Sequence, residues 1–164
     1  MSFAATALET DDKPRFYQDL GRQLSALIGG ETDRIANLAN AAALIHDLVS
    51  DLNWSGFYLL QGTELVLGPF QGKPACIRIP LGQGVCGTAA VTRKTQRVDD
   101  VHAFAGHIAC DARSRSELVI PMLAGAQLLG VLDLDSPTPA RFDAEDQAGL
   151  EHVVDLLVQR LQVG

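Results

Sequence analysis

Nowhere in the 164 residues do apolar positions run uninterrupted for the ~18 that a membrane-spanning helix needs. Basic charge is scarce: 13 Lys and Arg stand against 20 Asp and Glu, for a formal net charge of −7. A general nucleic-acid binder needs a basic footprint, and docking on anionic lipid needs clustered Lys and Arg. Neither partner class is expected. The N-terminal residues lack a positive leader followed by a long apolar run, so a secretory signal is not expected and the cytoplasm is the expected location. Repeats and low-complexity tracts are missing too. Cysteine is sparse, with Cys76, Cys86 and Cys110, and no two of them form a Cys-x-x-Cys pair. That spacing speaks against a zinc knuckle or a thioredoxin-type motif. A metal site joining the cysteines to His107 would be irregular and incomplete, so neither metal nor cofactor is expected.

What is present suits a soluble globular chain, with 47% apolar and 20% charged residues. Residues 1–13 read as a loose lead-in and residues 14–164 as a single domain. Phe16, Leu20, Leu24, Leu27 and Ile28 form a helical stripe over Arg15–Ile28, which Gly29-Gly30 ends as glycine does at helix C-termini. A second helix carries Ile35, Leu38, Ala42, Ile45, Leu48 and Val49 on one side, and its alanine-rich middle predicts a tightly packed helix pair. The period then changes to two. Strands are predicted over Asn53–Leu60, Glu64–Phe70, Ala75–Pro80, Thr95–Val98, Glu117–Leu123 and Leu128–Asp135, with a short helix over Val85–Thr92. Asp143 caps a last helix striped with Leu150, Val153, Val154, Leu157 and Leu161. The pattern implies an α+β architecture, a central antiparallel sheet with the N- and C-terminal helices packed on one face.

Several residues have the types that chemistry needs. Asp133 and Asp135, two apart on one strand, share a face while Leu132 and Leu134 point the other way. A three-residue turn, Ala124-Gly125-Ala126, would set Glu117 opposite Asp133, whereas an even turn would send Glu117 to the other face. Converging acids raise at least one pKa, which suits a general acid; a solvated sheet end is the plainer alternative. Trp54, Gly56 and Tyr58 also share a face, and Gly56 would leave room for a ligand or backbone to approach. Cys110 lies deep in a stretch from Asp99 to Ser116 with no regular period, a loop long enough to be functional. There His107 and Arg113 would favour a thiolate and Asp111 would oppose it. Buried cysteines acting as apolar fillers are the bland alternative.

Five segments carry a resemblance: Asn53–Leu59, Gly68–Ile79, Gly84–Ala89, Gly106–Asp111 and Ser114–Pro121. Together they closely resemble the free methionine (R)-sulfoxide reductases, enzymes built on the GAF fold. The likeness runs from roughly Phe16 to Leu161 and includes all three cysteines at the family's spacing. Two positions depart from it: Ala105 stands where the family often has proline, and Ser55 replaces a usual apolar residue.

The resemblance implies reduction of free methionine (R)-sulfoxide. Cys110 would attack and Cys76 resolve, with Cys86 a third cysteine open to pairing with either. Glu117 or Asp135 would donate the proton. Trp54, Tyr58, Glu117, Asp133 and Asp135 would form the substrate pocket, and thioredoxin or a similar dithiol would regenerate the thiols. A non-catalytic GAF module binding a small ligand is the alternative. A homodimer through apolar residues on the helices is left open.

Overall fold

The computed structural model describes residues 3–162. In chain order its elements are α1 (Lys13–Ile28), α2 (Arg34–Leu48), β1 (Trp54–Gln61), β2 (Glu64–Gly72), β3 (Arg78–Pro80), α3 (Gly84–Thr92), β4 (Gln96–Val98), β5 (Ser116–Ala124), β6 (Gln127–Ser136) and α4 (Ala144–Leu161). A single 3-10 turn, Val101–Ala103, interrupts the loop before β5. The strands form one antiparallel sheet in the order β3-β2-β1-β6-β5-β4. This is the expected α+β layer arrangement.

Strand alternation gives the sheet two different faces. Phe57, Leu118, Ile120, Leu132 and Leu134 join the core under α1, α2 and α4. Trp54, Tyr58, Val119 and Val131 face the other way, into a second cluster under α3 and the loops. Ser55, on the helix side, is fully buried, and its Oγ donates to the Ala42 carbonyl at 3.4 Å. No helix among the described residues is long and apolar enough to cross a membrane.

The helices differ from expectation in three places. Gly29 caps α1 in a right-handed conformation (φ −60°) rather than a left-handed one. The last carbonyl is satisfied instead from outside the helix: Ile28 O accepts from Glu31 N at 3.1 Å and from Arg160 Nε at 3.1 Å. Ile35 is 58% exposed, and Ala41 and Leu44 take the buried positions on α2. The tight helix pair is α1 with α4, because a Cβ on Gly149 would lie 2.2 Å from the Tyr17 ring. At that contact Asp146 is buried yet fully partnered. It accepts from Tyr17 OH at 2.7 Å, Lys13 Nζ at 2.8 Å and Arg141 NH1 at 3.2 Å, which burial of a carboxylate demands. Asp143 caps α4 as expected, reciprocated by Asp146.

The β5–β6 register was open in the sequence and differs from both simple answers. The turn has two residues, Gly125 and Ala126, with Ala124 paired to Gln127 and Gly125 at φ 60°. Such a turn alone would send Glu117 to the helix face. A bulge prevents this: Leu123 pairs with Leu128 but Met122 with Gly130, so Leu129 is an extra residue. Glu117 consequently sits opposite Asp135, not Asp133, and on the same face as both. Gly130 makes the bulge possible. Its φ is 155°, and a Cβ there would lie 2.2 Å from the Tyr58 carbonyl oxygen on β1. Gly130→Ala is therefore expected to cost at least about 2 kcal/mol. Gly125→Ala, whose Cβ meets open space, should cost only about 1–2 kcal/mol from backbone strain. Urea midpoints of the two variants check the difference.

Candidate active site

On the face of the sheet away from α1 and α4, residues from β1, α3, β5, β6 and the loop before β5 surround a cleft with about 40 Å³ of free space. That is room for a few waters. Trp54 forms one wall, stacked between Tyr58 (ring centroids 5.9 Å apart) and Phe70 (5.2 Å), with its Nε1 donating to the Lys73 carbonyl at 3.1 Å. Of the two approaches Gly56 could allow, ligand or backbone, it is the backbone of β2 that comes close, with Phe70 Cα 2.9 Å from a Cβ placed there. A Cβ there would meet Phe70 Cβ at 2.3 Å and Trp54 Cη2 at 2.7 Å, so the aromatic stack itself fills the gap.

The acids converge as the alternation required. Glu117 and Asp133 are only 5% and 6% exposed, and Asp135 is half-buried. Burial pushes the carboxyl of Glu117 well above its ordinary range, and the charges of Asp133 and Asp135 push it further. Asp135 is raised by burial and then by Asp133, while Asp133 itself is pushed up to about 6, again by burial. Cys86, at the start of α3, is buried and free, with its Sγ 3.9 Å from Glu117 Oε1. Burial and the three acids push that thiol up.

Cys76 and Cys110 are joined in a disulfide, Cα to Cα 5.6 Å. Cys76 does not start a strand as the sequence suggested. It lies before β3, after Gly72 (φ 131°) and Pro74 turn the chain away, and strand pairing resumes where Leu67 N donates to the Ile77 carbonyl at 2.9 Å. Tyr58 OH donates to the Cys76 carbonyl at 2.9 Å and fixes the cysteine beside the cleft. Cys110 is exposed in its loop.

The charges around Cys110 are arranged differently from the sequence reading. Arg113 is occupied by Asp111, through NH2 at 2.8 Å and Nε at 3.2 and 3.3 Å. The Arg113 guanidinium thus holds the Asp111 carboxyl well below the usual range. His107 faces Glu117, Nε2 to Oε2 3.7 Å, and burial lowers its pKa, so it carries little positive charge at neutrality. Sequence reasoning missed Asn53 and Ser114. Asn53 Nδ2 donates to Asp111 Oδ2 at 3.2 Å and Ser114 Oγ at 3.1 Å, pinning the Cys110 loop to the start of β1. The available signal was an amide residue directly preceding Trp54.

With this geometry in view, the comparisons with known proteins are specific. The GAF domain family matches residues 24–161. The free methionine-R-sulfoxide reductase of Escherichia coli (strain K12) is 54% identical over 143 residues, covering 87% of each chain. This chain belongs to the free methionine-R-sulfoxide reductase family. A reductase of that name from Saccharomyces cerevisiae is 42% identical over 154 residues, covering 89% of this chain and 86% of its own. The X-ray structure of the free methionine-R-sulfoxide reductase from Neisseria meningitidis in complex with its substrate superposes with a TM-score of 0.93. It is 41% identical and covers 98% of this chain and 96% of its own. Within this reductase family member, the three cysteines, Trp54, Tyr58 and the three acids all line or adjoin one cleft. The loop holding Cys110 depends on the Asn53 contacts. Asn53→Ala should therefore speed amide hydrogen exchange across residues 107–115 severalfold while leaving β5 and β6 protected, because losing a part-buried hydrogen bond costs about 0.5–1.5 kcal/mol locally.

Proposed function

We propose that this chain reduces free methionine (R)-sulfoxide to methionine with its own cysteines. The observation that carries the reading is the Cys76–Cys110 disulfide beside a cleft that also holds Trp54 and three acids of raised pKa. In the reduced chain the Cys110 thiolate attacks the sulfoxide sulfur. Glu117 or Asp135 protonates the sulfoxide oxygen, since a carboxyl held above its usual range keeps a proton toward neutrality. Methionine leaves, and the oxygen remains on Cys110 as a sulfenic acid. The Cys76 thiol condenses with it, forming the disulfide and releasing water. An external dithiol, thioredoxin or a similar protein, then restores both thiols by exchange. Cys86 is the third thiol of the same system, available to either partner.

The pocket also suits the free amino acid. The wall of Trp54 and Tyr58 takes the methyl-thioether end. Asp133, whose Oδ1 is buried without a hydrogen-bond partner, offers its charge to the substrate ammonium with the remaining acids. A peptide-bound residue has no such charge.

The reading is tested by epimer-resolved consumption of free methionine sulfoxide with thioredoxin as reductant. The wild-type chain should consume the R epimer alone, and Cys110→Ser should abolish turnover. Of Glu117→Gln and Asp135→Asn, the one that removes the general acid is expected to lower kcat by ~10²–10⁴, and Asp133→Asn to act mainly on KM. Full turnover by Cys110→Ser would sink the proposal. Tight ligand binding without any turnover by the wild-type chain would favour a sensory GAF module instead.

A further inference from the structure

Sulfur gives the acid patch a capacity that an ammonium ion does not use. Cys86 Sγ and one carboxylate oxygen each from Glu117 and Asp133 all lie within 4.8 Å of one another, and all three residues are buried. An ammonium group needs only oxygen acceptors, but a thiolate flanked by carboxylates is a donor set for a borderline or soft metal ion. A tetrahedral zinc centre holds sulfur at ~2.3 Å and oxygen at ~2.0–2.2 Å, so side-chain shifts of roughly 1 Å would bring the three donors onto one ion. His107 Nε2, 3.7 Å from Glu117 Oε2, stands next to the cluster as a fourth donor.

A second observation, the hydrogen bonding of Asp133 rather than the spacing of the donors, points to a cation in this place. Asp133 is 6% exposed and lines the cleft, and its Oδ1 is buried with nothing to accept a hydrogen bond from. A buried carboxylate oxygen left unpaired is costly, and a bound cation removes that cost.

We propose that Cys86, Glu117 and Asp133, with His107 completing the set, form a binding site for a thiophilic divalent cation of the zinc class. Binding replaces the protons that the crowded donors otherwise hold. The site does not need the catalytic pair in its reduced state, because Cys86 is free while Cys76 and Cys110 are joined. A cation seated there occupies the position assigned above to the substrate ammonium and excludes the substrate. That exclusion rests on the reductase reading, whereas the metal site itself does not. No spacing motif announces it, since the donors come from α3, β5, β6 and a loop.

The disulfide form of the full chain, titrated with zinc against a chromophoric chelator, tests the site without reference to turnover. One equivalent should bind, an excess of magnesium should not displace it, and Cys86→Ser should weaken it by more than about tenfold, because even loss of a second-shell partner costs that much. Absence of stoichiometric binding, or an unchanged affinity in Cys86→Ser, overturns the proposal. Should that variant fail to fold, cobalt(II) bound to the wild-type disulfide form decides: a thiolate-to-cobalt charge-transfer band supports the site, and its absence overturns it.

Discussion

Three carboxylates crowd one largely dry face of the sheet, and each holds its proton more tightly there than it would in water. Water that would screen them is displaced by α3 and the Cys110 loop, so burial raises each pKa, and the charge of Asp133 raises Glu117 and Asp135 further. Much of the surrounding architecture follows from keeping that crowd in place. The β5–β6 bulge holds Glu117 on the face of Asp133 and Asp135. Gly130 lets the bulge pass against β1. The opposite face carries the apolar mass of α1, α2 and α4, whose burial supplies the stability that an acid patch costs.

The chemistry assigned here uses the same crowding. A proton retained near neutrality is what the sulfoxide oxygen requires as it passes to the cysteine sulfur, and the residual negative charge is what an amino-acid ammonium requires. Sparing the attacking cysteine further negative charge is the complementary need. Asp111, beside Cys110, would oppose a thiolate, but Arg113 binds it in a two-pronged ion pair and Asn53 holds the pair against β1. The carboxylate next to the sulfur that must lose a proton is thus matched by a cation of its own.

Much of this was legible in the sequence. Alternation in Leu132-Asp133-Leu134-Asp135 decided which residues face the core, and Asp143 announced the start of α4. The three cysteines and the segment around Trp54 pointed to the family. What could not be read was relative placement. Register across β5–β6 depends on counting one bulged residue, and Gly130 beside Leu129 was the one local mark of it, a glycine inside a strand that fits a bulge or a close backbone approach equally well. Gly56 looked like an opening because Phe70, whose Cα and Cβ close over it, comes from another strand. Ile35 satisfied a helical stripe but lies exposed in the first turn of α2. Arg113 and Asp111 are close in sequence, yet only the folded loop shows that they neutralise each other rather than tune Cys110 separately.

Tyr58 occupies two positions in this scheme with one side chain. Its ring, stacked on Trp54, sets the width of the cleft, and its hydroxyl, donating to the Cys76 carbonyl, sets where the second sulfur stands. Breadth of substrate acceptance and the reach between the two sulfurs are therefore not independent variables in this scaffold. A shorter residue that admitted a bulkier sulfoxide would release the tether on Cys76 in the same stroke, and a repositioned tether would reshape the wall. Any route to a new substrate, by selection or by engineering, has to begin somewhere other than Tyr58.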